Sequence, residues 1–328
     1  MKWTVRNVYT AEDRLRNIPY PDPSSQIEPD PIQIQFMLPE YVFVAESDDI
    51  RVGVWDEKAR SWSTVEIDDL QLDKTSRKLE FTTKKLGQMA FLQSRCTDYP
   101  YKRWKLRCVE NQKAILDIET RRGLPLTFEI GEDYLKLLVE PEAEGTPEVF
   151  PELRDLKNKE FLPGYLLLEL SKCGIHLLPR DEDAELGGVK LKDFNAEERA
   201  IGDISSTLRA FAYRSCRWNQ TIETDNIVIK VRENLEFDRE FFEDHEPDWR
   251  YVNFWPNKVA FVRCSDLEEA ADMRIVNGME THSMLHQALV SGVNASDEAI
   301  ERSQQYSYVD FIDTVRKTLR LTRILSFT

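Results

Sequence analysis

Alternation of apolar and polar residues dominates the first half of the chain, most clearly between residues 51 and 108. In one run, Leu79, Phe81 and Thr83 are separated by charged or polar neighbours. Successive side chains of a β-strand point to opposite faces, so this two-residue period is typical of strands with one buried face. Short charged segments such as EKARS separate the runs and predict hairpin turns.

Further strands are predicted on both sides of this stretch. They lie at 32–44, with a break at Pro39, and at 113–119, 126–130 and 134–139. At least seven short strands follow one another with no convincing helix between them. This order is typical of an antiparallel β-sandwich.

The apolar period changes to three and four residues in the second half of the chain. Near the end, Tyr308, Phe311, Val315 and Leu319 fall on one face of a predicted helix. The second half therefore predicts an α+β domain. Its predicted helices are 162–173, 194–218, 282–290 and 308–323, and its predicted strands are 175–178, 227–231, 251–255 and 259–263.

These patterns predict a β-rich α+β protein in which an N-terminal antiparallel β-sandwich precedes an α+β domain with a smaller sheet. Residues 1–31 contain many prolines and predict an extended arm. Residues 32–140 form the predicted sandwich domain, and the proline-rich, charged residues 141–160 the predicted linker. Residues 161–328 form the predicted α+β domain, which ends in two helices.

Composition excludes several classes of protein. The net charge of −15 over 328 residues opposes binding to nucleic acid, because a nucleic-acid site needs a basic face. The chain contains no signal-peptide core and no apolar run of about 18 residues, so we expect neither secretion nor a membrane span. Its five cysteines are widely spaced, which favours reduced thiols in a cytosolic or ciliary compartment.

The sequence offers no clear catalytic or cofactor-binding motif. It lacks both glycine-rich phosphate-binding patterns and a nucleophile elbow, and we predict no catalytic residue and no cofactor. His282 and His286 have the spacing of two zinc ligands on a helix, but Ser283 stands where a metalloprotease needs glutamate. We therefore predict no metal site, and a metal-dependent enzyme using these two histidines is an unfavoured alternative.

Two cationic groups contrast with the acidic total and are candidate protein-binding sites. The purely structural explanations are charge pairing across a sheet for the first group and complementation of a helix dipole for the second. Local positive potential can nevertheless steer an acidic partner to an acidic protein. The groups are the strand strip (Lys102, Arg103, Lys105, Arg107) and the helix cations (Arg316, Lys317, Arg320, Arg323).

An acidic segment at 236–246 is a third candidate for docking. Its carboxylates are interrupted by Phe237, Phe241 and Phe242, and it lacks the glycine and ligand spacing of a calcium loop. A solvated segment with aromatic anchors, able to bind a basic partner, is the favoured interpretation.

Several short motifs together resemble one known family. Each motif alone is weak, but their order and spacing resemble the C-terminal half of the cancer susceptibility candidate one family, also called axonemal dynein intermediate chain seven. The resemblance covers most of residues 32–328, and the long, charged N-terminal half of the family has no counterpart here. The motifs are Gly53-Val-Trp-Asp56, Trp62-Ser-Thr64, Phe81-Thr-Thr83, Ala90-Phe-Leu-Gln93, Tyr99-Pro-Tyr101, Trp104-Lys-Leu-Arg107, Phe211-Ala-Tyr-Arg-Ser-Cys-Arg-Trp-Asn219, Val228-Ile-Lys-Val-Arg-Glu233, His282-Ser-Met-Leu-His-Gln-Ala-Leu289 and Leu321-Thr-Arg-Ile-Leu-Ser326.

The resemblance implies a non-catalytic structural or adaptor subunit of motile cilia and flagella. Members of the family associate with two-headed inner-arm dynein and contact tubulin, so the implied partners are axonemal dynein subunits, tubulin or both, and other axonemal proteins. No nucleic acid or membrane partner is expected. The implied location is the axoneme and cytoskeleton, with a possible cytoplasmic pool. A cytosolic assembly factor for dynein arms is the alternative.

Overall fold

The computed structural model of the chain describes residues 5–6, 17–18, 20, 29–39, 42, 44, 50–93, 96–139, 153–234, 249–291, 295–305 and 308–328. The chain divides into two compact units, Met1–Arg95 and Cys96–Thr328. Every strand pairing among the described residues joins strands of the same unit.

The first unit is built from short antiparallel strands. Its strands are β1 (Val5–Arg6), β2 (Asn17–Ile18), β3 (Ile32–Met37), β4 (Ile50–Asp56), β5 (Ser61–Ser63), β6 (Ile67–Asp73), β7 (Lys78–Thr83) and β8 (Met89–Gln93). β1 pairs with β2, and the other six form two three-stranded sheets with the orders β3-β7-β6 and β5-β4-β8. In β7 the side chains of Leu79, Phe81 and Thr83 are buried and alternate with half-buried polar residues, as the sequence predicts.

The two three-stranded sheets share one apolar core. Leu79 and Phe81 come from the first sheet and Val52 from the second, and all three belong to the same buried cluster. This cluster is the interior of an antiparallel sandwich, which ends at Gln93 and not at residue 140. Alternation identifies a strand but does not determine which sheet it joins, so the extent of the sandwich could not be derived from it.

Two hairpin turns of this unit begin with an aspartate. The Oδ1 atom of Asp56 accepts hydrogen bonds from the backbone N–H groups of Lys58 and Ala59, at 2.8 and 3.1 Å. Asp73 accepts the Ser76 hydroxyl at 2.6 Å and two backbone N–H groups. These hydrogen bonds favour the charged carboxylates and lower the pKa of both aspartates. The predicted turns therefore have a local cause in side-chain capping.

The second unit contains one antiparallel sheet of nine strands. The strands are β9 (Arg103–Glu110), β10 (Lys113–Glu119), β11 (Pro125–Ile130), β12 (Leu135–Leu138), β13 (Glu160–Phe161), β14 (Phe211–Ser215), β15 (Ile227–Glu233), β16 (Arg250–Trp255) and β17 (Lys258–Val262). Their order in the sheet is β13-β12-β11-β10-β9-β14-β15-β16-β17.

This sheet corrects the predicted domain boundaries. β9 pairs with β14, with Lys105 opposite Arg214, so strands assigned to the domains 32–140 and 161–328 belong to one sheet. The division lies between Arg95 and Cys96, not within 141–160. Proline and charge in a segment indicate an exposed connection, but long-range pairing decides which strands share a domain.

Six helices accompany the sheet in the described part of this unit. They are α1 (Pro163–Lys172), α2 (Asp181–Gly187), α3 (Phe194–Thr207), α4 (Leu285–Val290), α5 (Asp297–Gln304) and α6 (Val309–Thr322). Leu166 of α1, Ile204 of α3 and Leu319 of α6 belong to one buried cluster with Leu106 and Tyr213 of the sheet. The register places the sheet residues of this cluster on one face, so helices cover that face. The β-rich α+β class is confirmed.

The helix predictions are accurate at 162–173 and 308–323, which correspond to α1 and α6. Two others need correction, and the short strand predicted at 175–178 is not a strand in the structure. The helix predicted at 194–218 ends at Thr207 and is followed by β14, and the helix predicted at 282–290 begins only at Leu285. The unit ends in three helices, because α5 lies between the two that were predicted.

None of the helices within the described ranges is long and apolar enough to cross a lipid bilayer. Most of the predicted arm at 1–31, residues 140–152 of the predicted linker region and the acidic segment at 236–246 lie outside the described residues.

Candidate functional site

The strand strip lies on and just before β9, the middle strand of the nine-stranded sheet. Trp104 and Leu106 are 3 % and 0 % exposed and belong to the helix-covered core. Arg103, Lys105 and Arg107 occupy the opposite face, since neighbouring side chains of a strand alternate. The alternation in the sequence therefore places these cations correctly on a common face.

The first two residues of the strand strip are accessible. The side chains of Lys102 and Arg103 are 53 % and 79 % exposed. The Lys102 Nζ atom lies 3.7 Å from Glu119 Oε1, and Arg103 Nε lies 2.5 Å from Glu119 Oε2. Exposed ion pairs of this kind contribute little to stability because water and salt screen them.

The other end of the strand strip is much less accessible. Arg107 is only 9 % exposed, and Lys105 is half-buried. A partner that approached the four residues of the strip would meet only Lys102 and Arg103 as open cations. The strip is therefore divided between an exposed end, Lys102 and Arg103, and a largely buried end, Lys105 and Arg107.

Strand pairing brings three more cations onto the same face. Arg214 of β14 is opposite Lys105, and Lys230 of β15 is opposite Arg214. Arg232, two residues beyond Lys230, points to the same side of the sheet. Sequence reasoning missed this cluster because β14 was assigned to a helix. The two-residue period of Phe211 and Tyr213, with Arg214 on the other face, was the remaining signal.

An aromatic side chain stacks on two of these cations. The guanidinium carbons of Arg214 and Arg232 lie 4.7 and 5.1 Å from the centre of the Trp249 ring. Trp249 is 4 % exposed, so these contacts are shielded from water. Cation–π attraction is stronger in such places than at an open surface.

Lys230 is the most deeply buried cation of this face, at 2 % exposure. Its Nζ atom lies 2.5 Å from Asp266 Oδ2 and 5.1 Å from the Tyr251 ring. The Tyr251 hydroxyl oxygen accepts a hydrogen bond from the Asp266 backbone N–H at 2.9 Å. Burial raises the pKa of Tyr251, and this N–H group and Lys230 oppose the rise. Lys230 is therefore neutralised within the fold by Asp266 and has a structural role.

The helix cations lie on α6 and just after it, and three of them form ion pairs within the unit. Arg320 donates two hydrogen bonds to the carboxylate of Glu198 on α3, one of them at 2.7 Å. Arg323 pairs with Asp181 of α2. These pairs hold the end of α6 against two neighbouring helices.

The remaining members of this group differ from each other. Arg316 lies 3.9 Å from Asp313 of its own helix. Lys317 is exposed, and it forms no ion pair with any residue that the structure describes. Among the helix cations, Lys317 is thus the one whose charge faces solvent without an ionic partner in the described chain.

A cleft of ≈740 Å³ lies between α2, α3 and α6 and contains two buried charged groups. Burial lowers the pKa of Lys192 to about 8, and its ammonium donates to the Asn219 carbonyl. Burial raises the pKa of Glu197, which accepts the Ser326 backbone N–H at 3.0 Å and lies 4.0 Å from Arg323. Both groups are bound within the fold, so the cleft contains a stabilising network.

Three of the resemblance motifs meet around the C-terminal segment. The Tyr101 hydroxyl donates to the Thr322 carbonyl at 2.9 Å, and the Tyr101 N–H donates to the Phe327 carbonyl at 2.6 Å. The Asn219 side-chain amide donates to the Leu325 carbonyl at 2.5 Å. These motifs therefore build the buried scaffold of the unit and not an exposed site.

His282 and His286 do not converge on a common point. The Nε2 atom of His282 lies 3.1 Å from the Ser291 hydroxyl, whereas Nε2 of His286 lies 3.2 Å from the Ser303 hydroxyl. His282 also precedes α4, so the two rings do not share a helix face. Within the described residues, no group of three or more His, Cys, Asp or Glu side chains is placed to hold a metal ion.

The chain is similar to proteins named Dynein axonemal intermediate chain 7 in several animals. It is 24% identical to the Bos taurus protein over 298 residues, which are 90% of this chain and 40% of that protein. It is 25% identical to the Mus musculus protein over 326 residues, 98% of this chain and 42% of that protein. For the Danio rerio protein the identity is 22% over 341 residues, 99% of this chain and 44% of that protein. The sequence matches no protein-family model.

The chain spans about two fifths of the length of these relatives. The matched regions cover nearly all of this chain and therefore include both of its compact units. Over most of its length, the chain is thus similar to proteins named as axonemal dynein intermediate chains, which supports the family resemblance that the sequence motifs indicated.

Proposed function

We propose that this chain is a non-catalytic structural subunit of motile cilia and flagella that associates with axonemal dynein. One observation carries the proposal, namely the similarity to proteins named Dynein axonemal intermediate chain 7 over 90% to 99% of this chain. A match of that length extends over two folded units, so it is more than a shared short motif.

The geometry of the polar clusters supports a structural role. Lys230 is paired with Asp266, Arg320 with Glu198, and Lys192 is held by backbone carbonyls. These charged groups are engaged inside the fold, where they stabilise it. Rigid β-rich units of this kind are suited to present fixed surfaces to other proteins.

The partners proposed for the chain are axonemal dynein subunits, doublet tubulin or both, together with other axonemal proteins. The proposed location is the axoneme, with a cytoplasmic pool of newly made protein. On this basis the accessible cations Lys102, Arg103 and Lys317 are candidates for contact with an acidic partner, whereas Arg107 is too deeply buried for a direct role.

The test is to express the tagged full chain in a flagellated cell and to fractionate the flagella. We expect the chain to stay with the axoneme after the membrane is removed with detergent. It should be extracted by high salt together with dynein arms, and its amount should fall in axonemes that lack inner arms. No nucleotide turnover by the purified chain is expected.

The opposite result would be a chain found wholly in the soluble fraction outside the cilium. That distribution, with dynein subunits bound to the chain in the cytosol, would overturn the structural role in favour of an assembly factor. Retention in axonemes that is independent of dynein arms would leave a microtubule-associated protein and would contradict the dynein association.

A further inference from the structure

Helix α1 is apolar over its first six residues, Pro163 to Leu168, and its polar side chains, Glu169, Ser171 and Lys172, lie in its last turn. Leu166, Leu167 and Leu170 are fully buried against the sheet. A helix that is apolar around its whole circumference is expected in a protein interior, because a surface helix normally exposes a polar face. The outward side of α1 lies at the surface, so its composition does not match its position.

The outward side of α1 carries a row of large apolar residues. Leu162, Tyr165 and Leu168 are 65 %, 53 % and 49 % exposed. Their spacing of three residues places them along one side of the helix. Single exposed apolar residues are common, but a contiguous row is typical of an interaction surface.

This row borders a groove between α1 and α6. The α1–α6 groove has a volume of ≈430 Å³, and Leu162, Pro163, Tyr165, Lys317, Arg320 and Leu321 contribute to its lining. The two helices approach closely at Gly164, where a Cβ atom added to the glycine would lie 3.7 Å from the Leu321 side chain. The groove is thus a shaped depression with mainly apolar walls and not a flat patch.

The Tyr165 side chain is held in place before any partner arrives. Its ring stacks on Phe161, with the ring centres 5.7 Å apart and the planes inclined by 29°. Its backbone N–H donates to the Leu162 carbonyl at 3.0 Å. A side chain that is already ordered loses little conformational entropy on binding, which favours affinity.

The charges along the groove favour an acidic partner. Lys317 is exposed, and Arg320 is fixed in orientation by its two hydrogen bonds to Glu198. Asp133 is the one carboxylate among the described residues that line the groove. Lys317, which has no ionic partner in the described part of the chain, therefore provides a positive edge beside the apolar wall. A chain of net charge −15 that exposes cations here differs locally from its own average.

We propose that the α1–α6 groove is the docking site for an acidic amphipathic helix of a partner protein, a surface whose biological use rests on the structural role proposed above. The apolar side of the partner helix covers Leu162 and Tyr165, and its carboxylates face Lys317. Leu168 extends the contact along α1. Apolar residues spaced three, four and seven apart on the partner helix would match the row formed by Leu162, Tyr165 and Leu168.

The direct test uses the purified full chain and a designed probe. The probe is a fluorescent helical peptide of about 18 residues, with leucines at three- and four-residue spacing on one side and glutamates on the other. Fluorescence anisotropy measures its Kd at low and physiological salt. A second peptide has lysines in place of the glutamates, and a third has serines in place of the leucines. We expect the acidic peptide to bind at least about tenfold more tightly than either control peptide.

Matched variants locate the binding site. Leu162→Ser and Tyr165→Ser should each weaken binding of the acidic peptide by about tenfold, because each removes most of a large apolar contact. Leu267→Ser changes a residue that is 88 % exposed outside the groove and should leave the Kd within about twofold. Lys317→Glu should weaken binding more at low salt than at high salt, whereas Lys102→Glu should not. Thermal unfolding of each variant verifies that it is folded.

Three results would overturn this assignment. The first is equal binding of the acidic and lysine peptides, or no measurable binding by the wild-type chain. The second is an unchanged Kd in the folded Leu162→Ser and Tyr165→Ser variants. The third is a wild-type dimer that Leu162→Ser converts to a monomer in sedimentation, which would make the groove an interface between two copies. Because the peptide assay needs no cilia, its failure is separable from loss of axonemal retention, which bears on the proposed function alone.

Discussion

On β9, Arg107 is 9 % exposed in the middle of a nine-stranded sheet, whereas on α6 Lys317 faces solvent beside an apolar groove. Both residues belong to short runs of cations that the sequence presents in a similar way. In the strand strip, one end is buried and the other is paired with Glu119. Among the helix cations, Arg320 and Arg323 form ion pairs with other helices, and Lys317 forms none with the residues that the structure describes.

The difference between these regions shows what a charge pattern leaves undetermined. Alternation in β9 gives the face on which Lys105 and Arg107 lie, but the neighbouring strands decide how deeply that face is covered. On a helix surface fewer neighbours compete for the same side chain, so an exposed position is easier to recognise. In the structure Lys317 on α6 is exposed and Arg107 on β9 is buried, a difference that neither charge pattern predicted.

The largest effect that separates the two regions is expected for Arg107→Glu. The substitution would remove the guanidinium and place a carboxylate, of opposite charge, at a buried position. We expect the free energy of unfolding to fall by about 2–4 kcal/mol. Urea denaturation of the full chain measures the change. An unchanged midpoint would mean that this side chain is as accessible as Arg103.

An intermediate effect is expected for Arg323→Ala. Burial raises the pKa of Glu197 above its ordinary value, so the folded chain holds this proton more tightly than the unfolded chain. Stability due to this group therefore decreases as pH rises through the folded pKa. Arg323, 4.0 Å away, limits that loss by favouring the carboxylate.

Removal of Arg323 should raise the pKa of Glu197 further. The variant should lose on the order of 1 kcal/mol at pH 7.5, and the loss should shrink toward pH 5 as Glu197 takes up a proton. Urea denaturation at both pH values measures this. In the Glu197→Gln background the cost of Arg323→Ala should no longer depend on pH in this range. A cost that grows on acidification would contradict the assigned ion pair.

The smallest effect is expected for Arg103→Glu, the matched control for Arg107→Glu on the same face of β9. The Arg103 side chain is 79 % exposed, and its ion pair with Glu119 is screened by water. The free energy of unfolding should change by less than about 0.5 kcal/mol. If this variant were as destabilised as Arg107→Glu, burial would not explain the difference between the two ends of the strip.

Much of the local structure was predictable from the sequence. The period in β7, with Leu79 and Phe81 inside, and the apolar stripe of α6 with Phe311 and Val315 inside both appear where the pattern placed them. The hairpin turn predicted at EKARS is present, and the Asp56 carboxylate caps it locally. The helix predicted at 194–218 was too long because the helical period of α3 changes to the strand period of β14 within a few residues.

The candidate sites were only partly predictable. The sequence identified Lys102, Arg103 and Lys317 as cations, but not that Arg214 and Lys230 lie beside Lys105. It also gave no reason to single out the outward row on α1, because the apolar run Tyr165 to Leu168 is equally consistent with complete burial. Exposure is a property of the assembled fold and is absent from the pattern of one segment.

The sequence by itself determined the conformation of most segments, the β-rich α+β class, the acidic charge and the family resemblance. These properties depend on residues that are close together in the chain or on simple sums over it. The tertiary structure decided that β9 to β13 and β14 to β17 form one sheet. It also decided that Arg107 is buried and that α1 and α6 form a groove. Lys105 and Arg214, for example, lie about one hundred residues apart in the chain, and only the packing of the whole unit places them side by side.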